Sequence, residues 1–305
     1  MIAISGPTGS GKTAVACELA RRIGGEIITC DSMQIYRGLD VGTAKASEEE
    51  RSIVPHHMLD ILDPNVTYSV ADYVSDAQKC IEDVRKRGGF PIVCGGTGMY
   101  VDALLRSGGF QGEPELTDED LAPYREMGTE ELFAALMKTD PQYATMIPNN
   151  SRRRAERALA LFSKTGTKVS ERTFFRDLPL PDGTLLAVLN FKDRTLLYDR
   201  INRRVDMMAE EGILKEALYV YENRDRFTTA AQAIGYKEFF PYFEKTATLE
   251  ECLETLKRAS RNYAKRQLTW FRKENDIFEI FVDELKKDRV ATIIEEKARS
   301  MKIIP

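Results

Sequence analysis

The sequence predicts an α/β protein: a parallel sheet flanked by helices, with an all-helical segment inserted into it. Three observations carry this. Short apolar strands alternate with helices through the first third of the chain. No convincing strand lies between Glu113 and Pro181. Strand character then returns at Leu185–Phe191, Leu-Leu-Ala-Val-Leu-Asn-Phe. Strands separated by helices need crossover connections, which give parallel pairing with helices on both faces.

The elements follow in order. Ile2–Ser5 is a short apolar strand. Lys12–Ile23 places Val15, Leu19 and Ile23 at helical spacing and stops at Gly24-Gly25. Glu26–Cys30 reads as a strand. Ser69 with Asp72 forms a capping-box pattern that opens a helix running to about Lys86, before Gly88-Gly89. Phe90–Cys94 is an apolar strand. Thr129–Lys138 and Ser151–Lys164 are amphipathic, and Pro114, Pro123, Pro141 and Pro148 punctuate that region. Thr195–Glu211 carries Leu197, Ile201, Val205 and Met208 at helical spacing. Leu249–Lys273 is a long basic helix, Ile277–Phe281 a last strand and Asp283–Met301 a last helix. The expected organisation is a core from residues 1–112 and 184–305, with residues 113–183 as the insertion.

Gly6-Pro7-Thr8-Gly9-Ser10-Gly11-Lys12-Thr13 fits G-x-x-x-x-G-K-(S/T), directly between a strand and a helix. Glycines let the backbone wrap a phosphate with its N–H groups inward. The helix N-terminus and Lys12 add positive charge, and the Thr13 hydroxyl is placed for Mg²⁺. The pattern predicts a P-loop core of the NTPase type. Nucleotide is the default ligand of such loops, so ATP is one expected occupant.

Ligands in parallel sheets sit beyond the C-terminal strand ends. Two further strand ends therefore face the loop's crevice. One carries Asp31, which reads as a general base or Mg²⁺ support, or else as a turn residue. The other carries Gly95-Gly96-Thr97, which reads equally as a second phosphate cradle or as a tight turn.

The 305 residues are 43% apolar and 30% charged, with net charge −4. This is the make-up of a globular chain with no overall polyanion-binding charge. Basic residues are nevertheless clustered, at Arg152, Arg153, Arg154 and Arg157 and again from Lys257 to Lys273. Such patches fit a localised polyanion site, although the second also fits a solvated helix face. The five cysteines form no CxxC pair, so neither a disulfide framework nor a zinc site is expected. His56-His57 lacks carboxylate–histidine spacing and reads as structural. Trp270, flanked by Leu268 and Phe271, reads as core packing ahead of RNA stacking. The chain opens on a strand, without a leader pattern or a long apolar run, and a cytoplasmic, membrane-free protein is expected.

GPTGSGKT, CDSMQIYRGLDVGTAK, PHHMLDILDP and VCGGTGMYVDALL succeed one another. RTLLYDRINRRVDMM, AIGYKEF and RASRNYAKRQLTWFRKEN follow in the second half. In this order and at these separations they resemble the signatures of the tRNA dimethylallyltransferase (isopentenyl pyrophosphate transferase) family, over nearly the whole chain. The resemblance implies transfer of a dimethylallyl group from dimethylallyl pyrophosphate to N6 of the adenosine beside the anticodon of tRNA, with Mg²⁺ as cofactor and no obligatory protein partner. It implies that residues 6–13 hold the pyrophosphate, Asp31 is the base, Thr97 contacts the pyrophosphate region and Arg204 neutralises the leaving group. It also implies tRNA contacts at Asp31, Ser32, Met33, Gln34 and Thr97, at Arg153, Arg154 and Arg157, and at Gln232, Gly235, Tyr236 and Lys237. The inserted helices would grip the anticodon arm. Asn150-Ser151 and Ser260-Arg261 depart from the family's usual Asn-Asp and Thr-Arg. A P-loop kinase for small molecules or nucleosides is the alternative reading, since it explains the loop and Asp31 equally well.

Overall fold

A computed structural model of the chain describes residues 1–106, 114, 116–171, 178–273 and 276–305. Six parallel strands form one sheet in the order β3-β2-β4-β1-β5-β6. The strands are β1 (Ile2–Ser5), β2 (Gly25–Thr29), β3 (His56–His57), β4 (Phe90–Cys94), β5 (Leu185–Asn190) and β6 (Ile277–Phe281). The expected strands are all present. β3 is the addition, and its two residues are too short to leave a pattern in sequence.

The first-half helices are α1 (Lys12–Ile23), α2 (Glu48–Ile53), α3 (Val70–Lys86) and α4 (Gly98–Arg106). Ser69 and Asp72 make both capping-box bonds at the start of α3. Side chains alternate across the sheet. On one face Ile2, Ile4, Ile27, Ile92 and Leu189 share a core with Val15 and Leu19 of α1. From the other face Tyr73 of α3, fully buried, donates its hydroxyl to Thr29 O at 3.0 Å.

The chain divides into two compact units, residues 109–178 and the remainder. The smaller unit contains α5 (Asp118–Arg125), α6 (Thr129–Thr139), α7 (Pro141–Met146) and α8 (Arg152–Thr165). Leu132 and Leu136 of α6 pack against Ala155, Ala158 and Leu159 of α8. The expected boundary at 112/113 lies outside the described residues. The larger unit resumes at Pro179, ahead of β5, and the Met1 amino group donates to Gly183 O in that stretch.

In the larger unit, α9 (Arg194–Glu211), α10 (Ile213–Glu222), α11 (Phe240–Phe243) and α12 (Leu249–Phe271) lead to β6 and α13 (Lys287–Ser300). A second core joins Val205 and Met208 of α9, Ile213 and Ala217 of α10, Tyr236, Phe239, and Cys252 and Leu256 of α12. Ile35, Tyr36 and Leu39 belong to that core, so the segment after β2 is anchored by side chains drawn from the C-terminal half.

Candidate active site

Strand register brings three loops to one edge. Cys94, the last residue of β4, pairs with Ile4 of β1 and with Thr29 of β2. The phosphate loop, Asp31 and Gly95-Gly96-Thr97 therefore leave the sheet side by side.

Gly9 and Gly11 have φ of 79° and 85°, so the loop between them turns through left-handed backbone. Lys12 Nζ donates to Pro7 O at 2.8 Å, which folds the lysine back over the loop. Burial lowers the Lys12 pKa to about 8, and the positive charge of Arg204 acts in the same direction. Arg204, on α9, donates to Thr8 Oγ1 at 3.2 Å and to Ala44 O at 3.5 Å. Burial depresses its pKa, and the Asp31 carboxylate opposes that shift. Asp31 acts electrostatically on both Lys12 and Arg204, so it shares their neighbourhood.

Asp31 is also a turn residue: its Oδ1 accepts from Met33 N at 2.9 Å. The structural and functional readings are compatible, since the second carboxylate oxygen lies outside that bond. Ser32 N donates to Thr97 Oγ1 at 3.3 Å. Gly95 N donates to Ile4 O at 3.2 Å and Thr97 N to Cys30 O at 3.4 Å, so these two amides tie the glycine turn to β1 and to the residue after β2.

Three residues not singled out in sequence complete the site. Gln267 of α12 accepts from Thr8 N at 2.8 Å and donates to Gly96 O at 2.8 Å, tying the phosphate loop to the glycine turn. A Cβ on Gly96 would stand 2.3 Å from Gln267 Nε2, and one on Gly98 would stand 2.4 Å from Trp270 Cδ1, so α12 sits as close as glycine allows. Tyr263 lies beside Thr97, and its pKa is raised by burial and then by Asp31. Arg200 lies four residues before Arg204, and its Nη2 would stand 3.3 Å from a Cβ on Gly11. The signal for Gln267 was its place on the apolar stripe of α12, with Ala264 and Phe271.

Other expected residues sort by exposure. Met33 is half-buried against the second core. The Gln34 amide donates to Thr43 O and Ala44 O at 3.0 and 3.2 Å. Arg153, Arg154 and Arg157 are exposed on α8. Arg152 is engaged within its own unit: it pairs with Glu156 at 2.7 Å and donates to Arg125 O and Met127 O at 2.8 and 2.6 Å. Gln232 and Lys237 are exposed, whereas Gly235 and Tyr236 are buried.

The basic helix is partly spent on the protein itself. Lys257 pairs with Asp206 and Glu254, both at 2.8 Å, and Arg261 donates to Asn202. Arg258, Lys265, Arg266, Arg272 and Lys273 are exposed. Trp270 packs as expected, with Nε1 donating to buried Asp102 at 2.7 Å. His57 pairs with Glu26 at 2.6 Å and His56 Nδ1 meets Val54 O at 2.8 Å, both structural roles. Among the described residues no helix is long and apolar enough to cross a membrane.

A parallel sheet carrying a phosphate loop, with a carboxylate and buried cations at the same edge, defines a P-loop group-transfer protein. A family profile described as IPP transferase matches residues 34–274, and one described as isopentenyl transferase matches residues 1–65. The chain belongs to the IPP transferase family. It is 44% identical to a tRNA dimethylallyltransferase of Halalkalibacterium halodurans, over 91% of this chain and 89% of that one. Its fold is similar to the crystal structure of the full-length tRNA isopentenylpyrophosphate transferase of Bacillus halodurans, with TM-score 0.73 and 39% identity over 99% and 97% of the two chains. It is also similar to a eukaryotic dimethylallyltransferase acting on tRNA, with TM-score 0.82 and 30% identity over 98% and 79%.

Proposed function

We propose that this protein transfers the dimethylallyl group of dimethylallyl pyrophosphate to N6 of the adenosine next to the anticodon of tRNA. The observation that carries this is the meeting of Lys12, Arg204 and Asp31 at one sheet edge. It supplies cations for a departing diphosphate and a carboxylate for an amine proton. The names of the relatives give the same reaction class.

In this reading the loop amides of residues 6–13, Lys12 and Arg204 bind the diphosphate. The C1–O bond breaks as the C1–N6 bond forms, the electron pair leaves on the diphosphate oxygen, and Asp31 accepts the N6 proton. Donors fixed before the reaction stabilise the developing charge without reorganising. A stacked base cannot reach such a donor, so the adenosine must leave its stack. Thr97 and Tyr263 border Asp31 and would line the space it enters.

Mg²⁺ fits this donor set. Thr13 stands in the first turn of α1, and among the described residues there is no group of three or more His, Cys, Asp or Glu that could hold a metal. Mg²⁺ commonly takes one or two protein oxygens together with substrate phosphates, a set that Thr13 and the diphosphate provide. When bound, it would neutralise charge on the diphosphate. ATP at the same loop is compatible with its geometry, and a cytoplasmic location accords with a tRNA substrate.

The exposed arginines of α8 are assigned to the phosphates of the anticodon arm. Replacing Arg153, Arg154 and Arg157 together by Gln is expected to weaken tRNA binding and to lower its log–log salt slope by roughly two. Unchanged affinity and slope would leave these side chains as a solvated face.

Lys12 gives a pH dependence with a defined sign. In protein without tRNA it is protonated below about pH 8 and loses its proton above. Bound phosphates raise its pKa, so binding above that point takes up a proton. Affinity for dimethylallyl pyrophosphate should hold below about pH 8 and fall by up to about tenfold per unit above it. Calorimetry in two buffers of different ionisation enthalpy detects the proton. Flat affinity and no proton uptake to about pH 9.5 would contradict a Lys12–phosphate contact.

The reaction itself is tested by incubating the protein with dimethylallyl pyrophosphate, Mg²⁺ and unmodified tRNA, then resolving the nucleosides. A prenylated adenosine is expected from one position. RNA that stays unmodified with intact, folded protein would end this reading.

A further inference from the structure

We propose that Glu216, on α10, is a positioning residue for prenyl transfer that acts through Arg204; the inference rests on the function proposed above. Its carboxylate gathers three consecutive backbone amides. Asp40 N and Val41 N donate to Oε1 at 3.0 and 2.8 Å, and Gly42 N donates to Oε2 at 3.1 Å. The Tyr236 hydroxyl donates to the same Oε2 at 3.1 Å. Successive N–H groups turned to one point form an anion-binding concavity. Here the anion is a side chain of the protein.

The loop so held leads directly to the site. A Cβ on Gly42 would stand 2.5 Å from the Tyr236 ring, so the chain passes in contact with that ring. Two residues later Ala44 adopts φ 49°, left-handed backbone that a non-glycine residue keeps only where its surroundings enforce it. Glu216 enforces it from one side. From the other, Lys45 Nζ reaches Asp40 at 2.7 Å, Tyr36 O and Asp60. The outcome is the direction of two carbonyls. Ala44 O receives Arg204 Nη2 and Gln34 Nε2, and Thr43 O receives Gln34 Nε2 as well. Arg204 also bonds Thr8 in the phosphate loop. A line of contacts thus runs from Glu216 through residues 40–44 to the guanidinium assigned to the leaving diphosphate. Glu216 needs no contact with substrate for this role, and Tyr236, buried and bonded to it, shares the role.

The test is a double-mutant cycle read by single-turnover prenyl transfer. Glu216→Gln puts an NH₂ group where an amide-accepting oxygen stood. It is expected to slow transfer roughly 10–100-fold at saturating substrates, because small misplacement of a charge-stabilising group costs rate more than affinity. In an Arg204→Ala background the same change should cost less than about 3-fold, since the group it positions is gone. A merely structural Glu216 would give the same loss in both backgrounds, and that result, or no loss in the otherwise native protein, overturns the proposal. If Glu216→Gln does not fold, Tyr236→Phe removes one bond to the carboxylate and carries the same cycle, with a smaller loss that must again vanish without Arg204. Failure of the unmutated protein to transfer a prenyl group would instead overturn the function on which the inference rests.

Discussion

Asp31→Asn should slow the chemical step by roughly 10²–10⁴, the usual worth of a positioned general base. The substitution is close to isosteric. Asparagine keeps an oxygen to accept from Met33 N, the bond that shapes the turn after β2. It cannot accept the N6 proton. It also removes a negative charge felt by Lys12 and Arg204, which leaves the diphosphate site more positive. Donor binding should therefore hold or tighten, while transfer collapses. Single-turnover transfer measured beside donor and tRNA affinities separates the cases. A preserved rate would mean that Asp31 is not the base. Joint loss of rate and affinity would make it a substrate-positioning group.

Lys12→Ala should remove most turnover. A well-placed donor to developing negative charge contributes about 3–4 kcal/mol, roughly 10²–10³ in rate. Lys12 also folds over the loop onto Pro7 O, so its loss frees one end of the cradle. The rate at saturating donor and the donor affinity should both fall, in contrast with Asp31→Asn, where the rate alone falls. Folded mutant protein with a near-native rate would contradict the assignment of the loop to pyrophosphate.

The contrast between these residues and Gln267 marks what sequence could carry. The phosphate loop was legible because its chemistry is contiguous: glycines, Lys12 and Thr13 follow one another between a strand and a helix. Asp31 and Thr97 were legible because parallel strands bring their C-terminal ends to one edge, and register alignment at Cys94 does this. Gln267 meets Thr8 across 259 positions and Glu216 meets Gly42 across 174. No local pattern encodes such pairings. Each left one trace, a polar residue beside the apolar stripe of its helix, but that trace does not name the partner. Exposure was equally hidden. Tyr236 and Lys237 are neighbours in one motif, yet one is wholly buried and the other faces solvent. Arg152 stands in an arginine run with Arg153 and Arg154 but caps carbonyls at the C-terminal end of α5 and just beyond it.

The phosphate loop alone admits phosphoryl transfer as readily as prenyl transfer, and dimethylallyl pyrophosphate labelled in both halves separates the two. Carbon label in the prenyl group and phosphorus label in the diphosphate are followed together through one incubation with protein, Mg²⁺ and unmodified tRNA. Carbon label is expected on adenosine N6 and phosphorus label in free pyrophosphate, in equal amounts, with no requirement for ATP. Phosphorus label on the acceptor, or ATP consumed without RNA while the prenyl carbon stays on its diphosphate, would contradict it.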